Sequence, residues 1–249
     1  MSLLGLQRDG SGPVLVWLHG FTQTKNSAHK FHSILTGTYE VLTIDLPGHG
    51  ENALISASLE ETADLLAEVL PREPFVLGGY SMGGRVALHF ALRHPERLSD
   101  LFLLSATLGI QNNDERHARR ERDDKLAERI VEIGADSFLS EWLAQPMFAS
   151  LPPDPQERAA RSQNALGLAN SLRHAGTGTQ TWLGDAVGQL DVATTLVVGS
   201  KDRKFINEGH QLREHLARPH FSLIHDAGHA AHLEQPDAVA LLLTQRQPQ

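Results

Sequence analysis

The stretch LGGYSMGGRVAL (residues 77–88) places one serine, Ser81, between two pairs of glycines. The apolar run before it predicts a strand, and the apolar spacing from Met82 to Leu92 predicts a helix. Ser81 thus sits in a G-x-S-x-G pattern between a strand and a helix, as in a nucleophile elbow. Such a sharp turn strains the serine backbone and crowds its flanking positions. A glycine-rich turn that merely contains a serine is the alternative.

A nucleophilic serine needs a base and a carboxylate that orients this base. Asp202 follows the predicted strand TTLVVG (194–199), and His229 follows the predicted strand FSLIH (221–225). The carboxyl ends of parallel strands gather ligands at one edge of a sheet, so these side chains are expected to meet Ser81. Three other aspartates fit poorly, because two precede the strand and one adjoins the histidine: Asp185, Asp191 and Asp226. The predicted catalytic triad is therefore Ser81, Asp202 and His229.

An oxyanion hole should use the N–H of the residue after the nucleophile, Met82, and one N–H from the loop after an earlier strand. The segment WLHGFTQ (17–23) lies at that point, and Phe21 is predicted to offer the second N–H. DLPGHG (45–50) is a further turn after a strand. His49 in this turn is either catalytic or a structural hydrogen-bonding residue, and the structural role is favoured.

Two kinds of sequence alternate along the chain. Residues 14–107 and the end of the chain from residue 194 alternate short apolar runs with helical patterns, whereas residues 111–189 are helical and contain no convincing strand. Strands that are apolar on both faces predict a parallel sheet covered by helices. The fold class is therefore α/β, with a mostly parallel central sheet, helices on both faces and a helical lid inserted in the core. The predicted boundaries are 1–110 and 190–249 for the core and 111–189 for the lid.

Composition limits the class of protein. A net charge of −8 argues against nucleic-acid binding, which requires cationic groups to neutralise phosphates. The sequence contains no run of eighteen apolar residues, so no membrane span is predicted. The N-terminal residues do not resemble a secretory signal. The absence of cysteine excludes disulfides and fits a reducing compartment. These features predict a cytoplasmic globular protein. The sequence leaves open whether it is a monomer or a small homo-oligomer.

Three histidines near the C-terminus could suggest a metal-binding face: His225, His229 and His232. They lack a neighbouring carboxylate pattern of the H-E-x-x-H type. No metal and no cofactor are therefore predicted.

The motifs HGF, DLPGHG, GYSMGG and AGH, together with Asp202, resemble the α/β-hydrolase superfamily across nearly the whole chain. Finer features resemble one family within it, the 2-succinyl-6-hydroxy-2,4-cyclohexadiene-1-carboxylate synthases of menaquinone biosynthesis. These features are GYSMGGR, GIQ (109–111), WLAQPMFASL (142–151), GTGTQTWL (176–183), KDRKF and AGHAAHLEQP. The resemblance implies a carbon–oxygen lyase that removes pyruvate from a multiply carboxylated cyclohexene intermediate, with Ser81 as base.

A small anionic substrate with several carboxylates needs cationic partners, preferably arginines. Arg85 lies one helical turn beyond Ser81, and Lys204 lies two residues beyond Asp202. The resemblance implies seven substrate-binding residues: Tyr80, Arg85, Gln111, Arg116, Trp142, Arg161 and Lys204. Each cation could instead be a surface charge or a member of an ion pair. Which arginine at the start of the lid faces the pocket stays open among Arg116, Arg119 and Arg120.

The triad alone does not distinguish elimination from hydrolysis, because fold does not fix the reaction. An ester, thioester or C–C bond hydrolase acting on an unknown acidic substrate is the alternative to the lyase. A non-catalytic binding module on the same fold is a third hypothesis, disfavoured because all three triad positions are filled.

Overall fold

The sheet at the centre of the computed structural model has seven strands within the described residues, 4–245. In chain order they are β1 (Leu6–Gly10), β2 (Val14–Leu18), β3 (Glu40–Ile44), β4 (Phe75–Tyr80), β5 (Leu98–Leu104), β6 (Thr194–Gly199) and β7 (Pro219–Ile224). Their spatial order is β1-β3-β2-β4-β5-β6-β7. β1 runs antiparallel to β3, and the other neighbouring pairs are parallel. The first three and last four residues of the predicted core lie outside the described residues.

The same part of the chain contains eleven α-helices. They are α1 (His29–Leu35), α2 (Leu59–Val69), α3 (Met82–Arg93), α4 (Asn113–Ile133), α5 (Ala135–Leu143), α6 (Pro155–Ala159), α7 (Ala165–Ala175), α8 (Gly184–Val187), α9 (Arg203–His215), α10 (Ala231–Glu234) and α11 (Pro236–Thr244). None of the helices in residues 4–245 is both long and apolar enough to cross a membrane.

Helices cover the sheet on both faces because alternate strand residues point to opposite sides. In β2, Val16 and Leu18 belong to one buried cluster with residues of α2, α3 and α9. Leu15 and Trp17 belong to a second cluster with residues of α1 and α11. Both faces of a central strand are thus buried, which is why β2 reads as a continuous apolar run.

The predicted α/β fold with a mostly parallel sheet is confirmed. The TTLVVG strand matches β6, whereas β7 begins at Pro219 and ends at Ile224, so His225 lies beyond it. β1 was not predicted, because its sequence LQRDG is polar and four of its five residues are exposed. β1 is held at the sheet edge by backbone pairing with β3, and backbone pairing requires no apolar pattern in the sequence.

Between β5 and β6 the described chain is helical, from α4 to α8. Here α4, α5 and α7 share a buried cluster of their own, against which Phe21 and Trp142 also pack. Only three residues of the charged helix α4 are buried, so most of its charges are solvated as the mixed-sign run predicted. The exact division of core and lid, at 110/111 and 189/190, stays a prediction.

Candidate active site

Ser81 lies at the turn between β4 and α3, with φ 52° and ψ −106°. Positive φ is strained for a residue with a side chain, and it persists only when the surroundings enforce it. The Ser81 N–H donates to the Leu104 carbonyl of β5 at 2.8 Å. A side chain at Gly79 would overlap the backbone of Gly83, and one at Gly83 would overlap that of Leu18. The four glycines thus include two positions where only a hydrogen fits.

Ser81 is joined to a buried histidine and a buried aspartate by hydrogen bonds. The Nε2 atom of His229 lies 3.0 Å from Ser81 Oγ, and its Nδ1 atom lies 2.7 Å from Asp202 Oδ2. Asp202 also caps α9, where its Oδ1 accepts the Phe205 N–H at 3.3 Å. These contacts bring together the three residues of the predicted triad.

Burial lowers the pKa of His229 below its usual range, although the hydrogen bond and charge of Asp202 oppose this shift. His229 is therefore neutral at pH 7 and can accept a proton at Nε2. The buried Asp202 would stabilise the imidazolium that results. This arrangement can remove a proton from Ser81, or from a group that contacts Ser81.

The two N–H groups predicted for the oxyanion hole belong to residues that line the cavity around Ser81, Phe21 and Met82. Met82 begins α3, where backbone N–H groups have no intrahelical acceptor. Within residues 4–245, no protein group accepts a hydrogen bond from either N–H. Both are free to receive a negatively charged oxygen, and their role as oxyanion donors stays a prediction.

The cavity at Ser81 has a volume of about 530 Å³, within the usual range for small-molecule sites. Apolar side chains form much of the wall, among them Phe21, Leu126, Trp142 and Phe148. Its charged lining contains four cationic and two acidic side chains, namely Arg85, Arg119, Arg122 and Lys204 against Asp123 and Glu208. This excess of positive charge occurs in a chain with a net charge of −8, so the charge of the cavity lining is opposite in sign to that of the chain as a whole.

Arg85 is buried in α3, and no carboxylate within residues 4–245 is bonded to it. Its Nη1 donates to the neutral side chain of Gln180 at 3.3 Å, and Gln180 in turn donates to the Thr107 carbonyl at 3.4 Å. Burial, reinforced by the charge of Arg119 and opposed by that of Asp123, lowers the pKa of Arg85 to about 10. A buried guanidinium that no carboxylate bonds directly is costly, and its role in binding a ligand stays a prediction.

α4 contributes two further arginines to the cavity, Arg119 and Arg122. Arg119 Nε donates to Asp123 Oδ1 at 2.8 Å, and Asp123 Oδ2 accepts the Gly178 N–H at 3.2 Å. Asp123 thereby holds Arg119 against the cavity wall. The sequence predicts no role for Arg122, Asp123 or Gln180, although Gln180 lies in the stretch GTGTQTWL (176–183). Arg119, Arg122 and Leu126 have the spacing of one helical face, which could have indicated that they line the same cavity. The surrounding run is so highly charged that this face does not stand out from the others.

Four of the seven predicted substrate-binding residues line the cavity at Ser81: Tyr80, Arg85, Trp142 and Lys204. The structure does not bring the other three to its lining. Gln111 is exposed before α4, and Arg116 in the first turn of α4 donates to the Ile110 carbonyl at 3.1 Å. Arg161 is buried beside Thr22 and lines a separate cavity of about 500 Å³.

The other histidines considered from the sequence have structural contacts. His49 Nε2 accepts the Thr22 N–H at 3.2 Å, as the structural interpretation of this residue predicted. His225 is exposed, whereas His232 is buried in α10. Within the part of the chain that the structure describes, no group of three or more His, Asp or Glu side chains is placed to hold a metal ion.

Comparison with known proteins agrees with this geometry. Residues 15–241 match the model of an alpha/beta hydrolase family. A 2-succinyl-6-hydroxy-2,4-cyclohexadiene-1-carboxylate synthase of Yersinia pestis is 34% identical over 92% of this chain and 85% of its own length. A Bacillus subtilis protein that bears the same name provisionally is 36% identical over 89% of this chain and 85% of its own length.

Among solved structures, the MenH protein of S. aureus superimposes with a TM-score of 0.89 at 31% identity, over 98% of this chain and 97% of its own. A thermophilic esterase of Thermogutta terrifontis is more distant, with a TM-score of 0.75 at 25% identity over 97% of this chain and 92% of its own. The chain thus belongs to the alpha/beta hydrolase family and, within it, to the family of 2-succinyl-6-hydroxy-2,4-cyclohexadiene-1-carboxylate synthases.

Proposed function

We propose that the protein is a carbon–oxygen lyase of menaquinone biosynthesis that eliminates pyruvate from a multiply carboxylated cyclohexene intermediate. Membership of the synthase family supports this reaction. The observation that carries the assignment to an anionic substrate is Arg85, a buried cation in the Ser81 cavity with no carboxylate bonded to it. A simple ester hydrolase has no need of such a group.

Ser81 acts as the base in this proposal. It takes a proton from the ring carbon beside the conjugated carbonyl system, while its own hydroxyl proton passes to His229 at 3.0 Å. The electron pair of the C–H bond forms a ring C=C bond, and the C–O bond to the pyruvyl group breaks. The leaving enolate takes up a proton from the His229 imidazolium and becomes pyruvate, while Ser81 keeps the proton that came from the substrate carbon.

The N–H groups of Phe21 and Met82 stabilise the negative charge that develops on the carbonyl oxygen before the C–O bond breaks. Arg85 and Lys204 hold carboxylates of the substrate, and Tyr80 and Trp142 contact its ring. Partial burial and the charge of Arg119 lower the pKa of Lys204, so a bound carboxylate would favour its charged form.

The decisive assay gives the purified protein the pyruvate-bearing menaquinone precursor and follows pyruvate release, with p-nitrophenyl acetate as the ester control. The proposal expects rapid pyruvate release and slow ester cleavage. Fast ester cleavage without pyruvate release would replace it with the hydrolase alternative. A stable acyl-enzyme on Ser81 during turnover of the precursor would also contradict the elimination mechanism.

Replacing Arg85 with methionine should lower kcat/KM for pyruvate release, mainly through KM, because a charge-assisted hydrogen bond to the substrate is lost. The expected loss is about 10- to 100-fold, the usual range for such bonds. Folding stability should be retained, since methionine fills the volume without a buried charge. Steady-state kinetics and thermal unfolding measure the two effects.

The control for this variant is Arg93→Met at the end of the same helix, where the exposed arginine pairs with Asp64 at 2.7 Å. It should leave KM unchanged. An unaltered KM in Arg85→Met would remove the main argument for an anionic substrate.

The pH profile of kcat/KM should report the protonation of His229. The neutral imidazole is the active form, so activity falls as the pH decreases through the pKa of His229 in the free enzyme. Burial lowers this pKa and Lys204 lowers it further, whereas Asp202 and Glu234 raise it. The net direction is downward, and the acidic midpoint is expected below about 6.5, the usual histidine value. A midpoint above pH 7 would contradict this prediction.

A further inference from the structure

The loop that carries the Phe21 N–H is held on both sides of that residue. On one side, the Gly20 N–H donates to Gln23 Oε1 at 3.0 Å. On the other, the Thr22 N–H donates to His49 Nε2 at 3.2 Å. Burial lowers the pKa of His49 to about 3, so its imidazole is a neutral acceptor. The Gly20 carbonyl belongs to the same peptide as the Phe21 N–H, and it accepts the Gln23 N–H at 3.1 Å, which closes a turn with Thr22 at its third position. The orientation of the Phe21 N–H is therefore set by this turn, whose closure depends on the conformation of Thr22.

Thr22 adopts a conformation that a β-branched residue disfavours. Its φ is 71°, in the left-handed region that favours glycine, and its side chain is fully buried. Contacts from elsewhere must enforce this conformation, because the residue by itself would leave it.

The segment between α6 and α7 supplies those contacts. Arg161 Nη1 donates to Thr22 Oγ1 at 2.7 Å, and the Ser162 N–H donates to the Thr22 carbonyl at 2.8 Å. Two residues earlier, the Ala160 carbonyl accepts the Thr24 hydroxyl at 2.5 Å. The hydroxyl and the carbonyl of Thr22 are thus bound by Arg161 and Ser162, which both belong to the predicted lid (111–189).

Arg161 is itself fixed by a buried carboxylate. Its Nη2 lies 3.4 Å from Glu157 Oε1, and Glu157 also accepts the Gln23 amide at 3.2 Å and the Ala28 N–H at 2.7 Å. Arg161 and Glu157 are 4% and 6% exposed, so water does not compete for these bonds. The guanidinium is directed to the Thr22 loop and is absent from the lining of the Ser81 cavity.

We infer that Arg161 is a positioning residue, which holds Thr22 and thereby sets the Phe21 N–H as a donor of the oxyanion hole. This inference rests on the proposed function only in taking Phe21 as that donor. It replaces direct substrate contact, the role that family resemblance implies for Arg161. It also connects the lid to catalysis, because the oxyanion hole is complete only when residues 157–162 are docked.

The two roles of Arg161 predict opposite kinetics. A residue that binds a substrate carboxylate should raise KM when it is removed, whereas a residue that sets an oxyanion donor should lower kcat. We expect Thr22→Val to lower kcat by about tenfold and Arg161→Met by about 10- to 100-fold, less than the effect of deleting a donor outright. KM should stay near the wild-type value in both variants.

A small uncharged fluorophosphonate ester tests the inference without the natural substrate. Ser81 Oγ forms a bond to phosphorus, the P–F bond breaks, fluoride leaves, and the serine proton passes to His229. The phosphoryl oxygen occupies the oxyanion hole, but the reagent has no carboxylate for an arginine to bind. Both variants should therefore be inactivated more slowly than the wild type, by the same factors as their loss in kcat.

Thr22→Val keeps the ion pair of Arg161 with Glu157, so it answers the question even if Arg161→Met fails to fold. The double variant should lose no more kcat than Arg161→Met alone, because both changes break the same hydrogen bond between Arg161 and Thr22. Arg158→Met is the control, since Arg158 is a partly exposed arginine of α6 that pairs with Asp136 at 2.6 Å. It should be inactivated at the wild-type rate.

Wild-type inactivation rates in Thr22→Val and Arg161→Met, with a raised KM for the precursor in Arg161→Met, would overturn the inference and restore substrate binding. Slow inactivation of Arg161→Met alone, with Thr22→Val unaffected, would also overturn it, because Arg161 would then not act through Thr22. If the wild type releases no pyruvate but the inactivation rates change as expected, the proposed reaction fails and the positioning role of Arg161 stands.

Discussion

Replacing Ser81 with alanine is expected to reduce kcat for pyruvate release by about 10⁴-fold or more, the scale seen when a triad nucleophile or base is removed. His229 Nε2 lies 3.0 Å from Ser81 Oγ, so the hydroxyl is the only triad atom placed to pass a proton between substrate and imidazole. Without the serine hydroxyl, a gap the size of the missing oxygen separates the imidazole from the substrate carbon. Single-turnover kinetics with the purified variant measures this loss.

Substrate binding should survive in Ser81→Ala, because the cationic groups of the cavity are unchanged. Isothermal titration calorimetry with the precursor should give a Kd similar to the wild-type value of KM or lower. Ser33→Ala, an exposed serine of α1, is the matched control and should keep full activity. A Ser81→Ala enzyme that keeps more than about a tenth of the wild-type kcat would show that another group removes the proton.

Asp202→Asn is expected to lower kcat by about 10⁴-fold, close to the loss known when the orienting carboxylate of a triad becomes an amide. Asp202 Oδ2 accepts from His229 Nδ1 at 2.7 Å, which leaves Nε2 free to receive a proton. An asparagine can present its NH₂ group to Nδ1 instead, so that the wrong ring nitrogen carries the proton. It also cannot stabilise the buried imidazolium.

The fold should tolerate Asp202→Asn, because asparagine caps a helix as well as aspartate and α9 begins after this residue. Thermal unfolding should therefore show little change. Asp226→Asn is the control, as an exposed carboxylate in the histidine loop at φ 57°, where asparagine is tolerated. An equal loss of activity in both variants would contradict the assignment of Asp202.

The fold and the triad could be predicted from the sequence because each depends on local patterns. A strand, a turn with glycines and a helix specify the backbone at Ser81. Asp202 and His229 each follow an apolar strand, and parallel strands bring their carboxyl ends to one edge of the sheet. The one strand that was missed, β1, has neither an apolar run nor a buried face to reveal it.

The residues that line the Ser81 cavity could not all be predicted, because their positions depend on the rotation and tilt of packed helices. In the charged helix α4, Arg116 lies in the first turn and binds the preceding backbone, whereas Arg119 and Arg122 lie farther along, on the face that lines the cavity. Charge alone does not distinguish these faces. Gln180, which bonds Arg85, is distant from it in sequence, and the stretch GTGTQTWL that contains it does not indicate this contact.

Arg161 shows most clearly what tertiary structure decided. Its sequence context, an arginine before a lid helix in a chain suited to an anionic substrate, indicated a contact with a carboxylate of the ligand. In the structure it bonds Thr22, more than a hundred residues earlier, and its charge is met by Glu157. The chain by itself determined the strained serine, its two partners and the sheet that aligns them, because each is encoded within a few residues of a strand end. Only packing decided which arginines line the Ser81 cavity and which bond the loop beside it, because a guanidinium binds whichever acceptor the fold buries next to it.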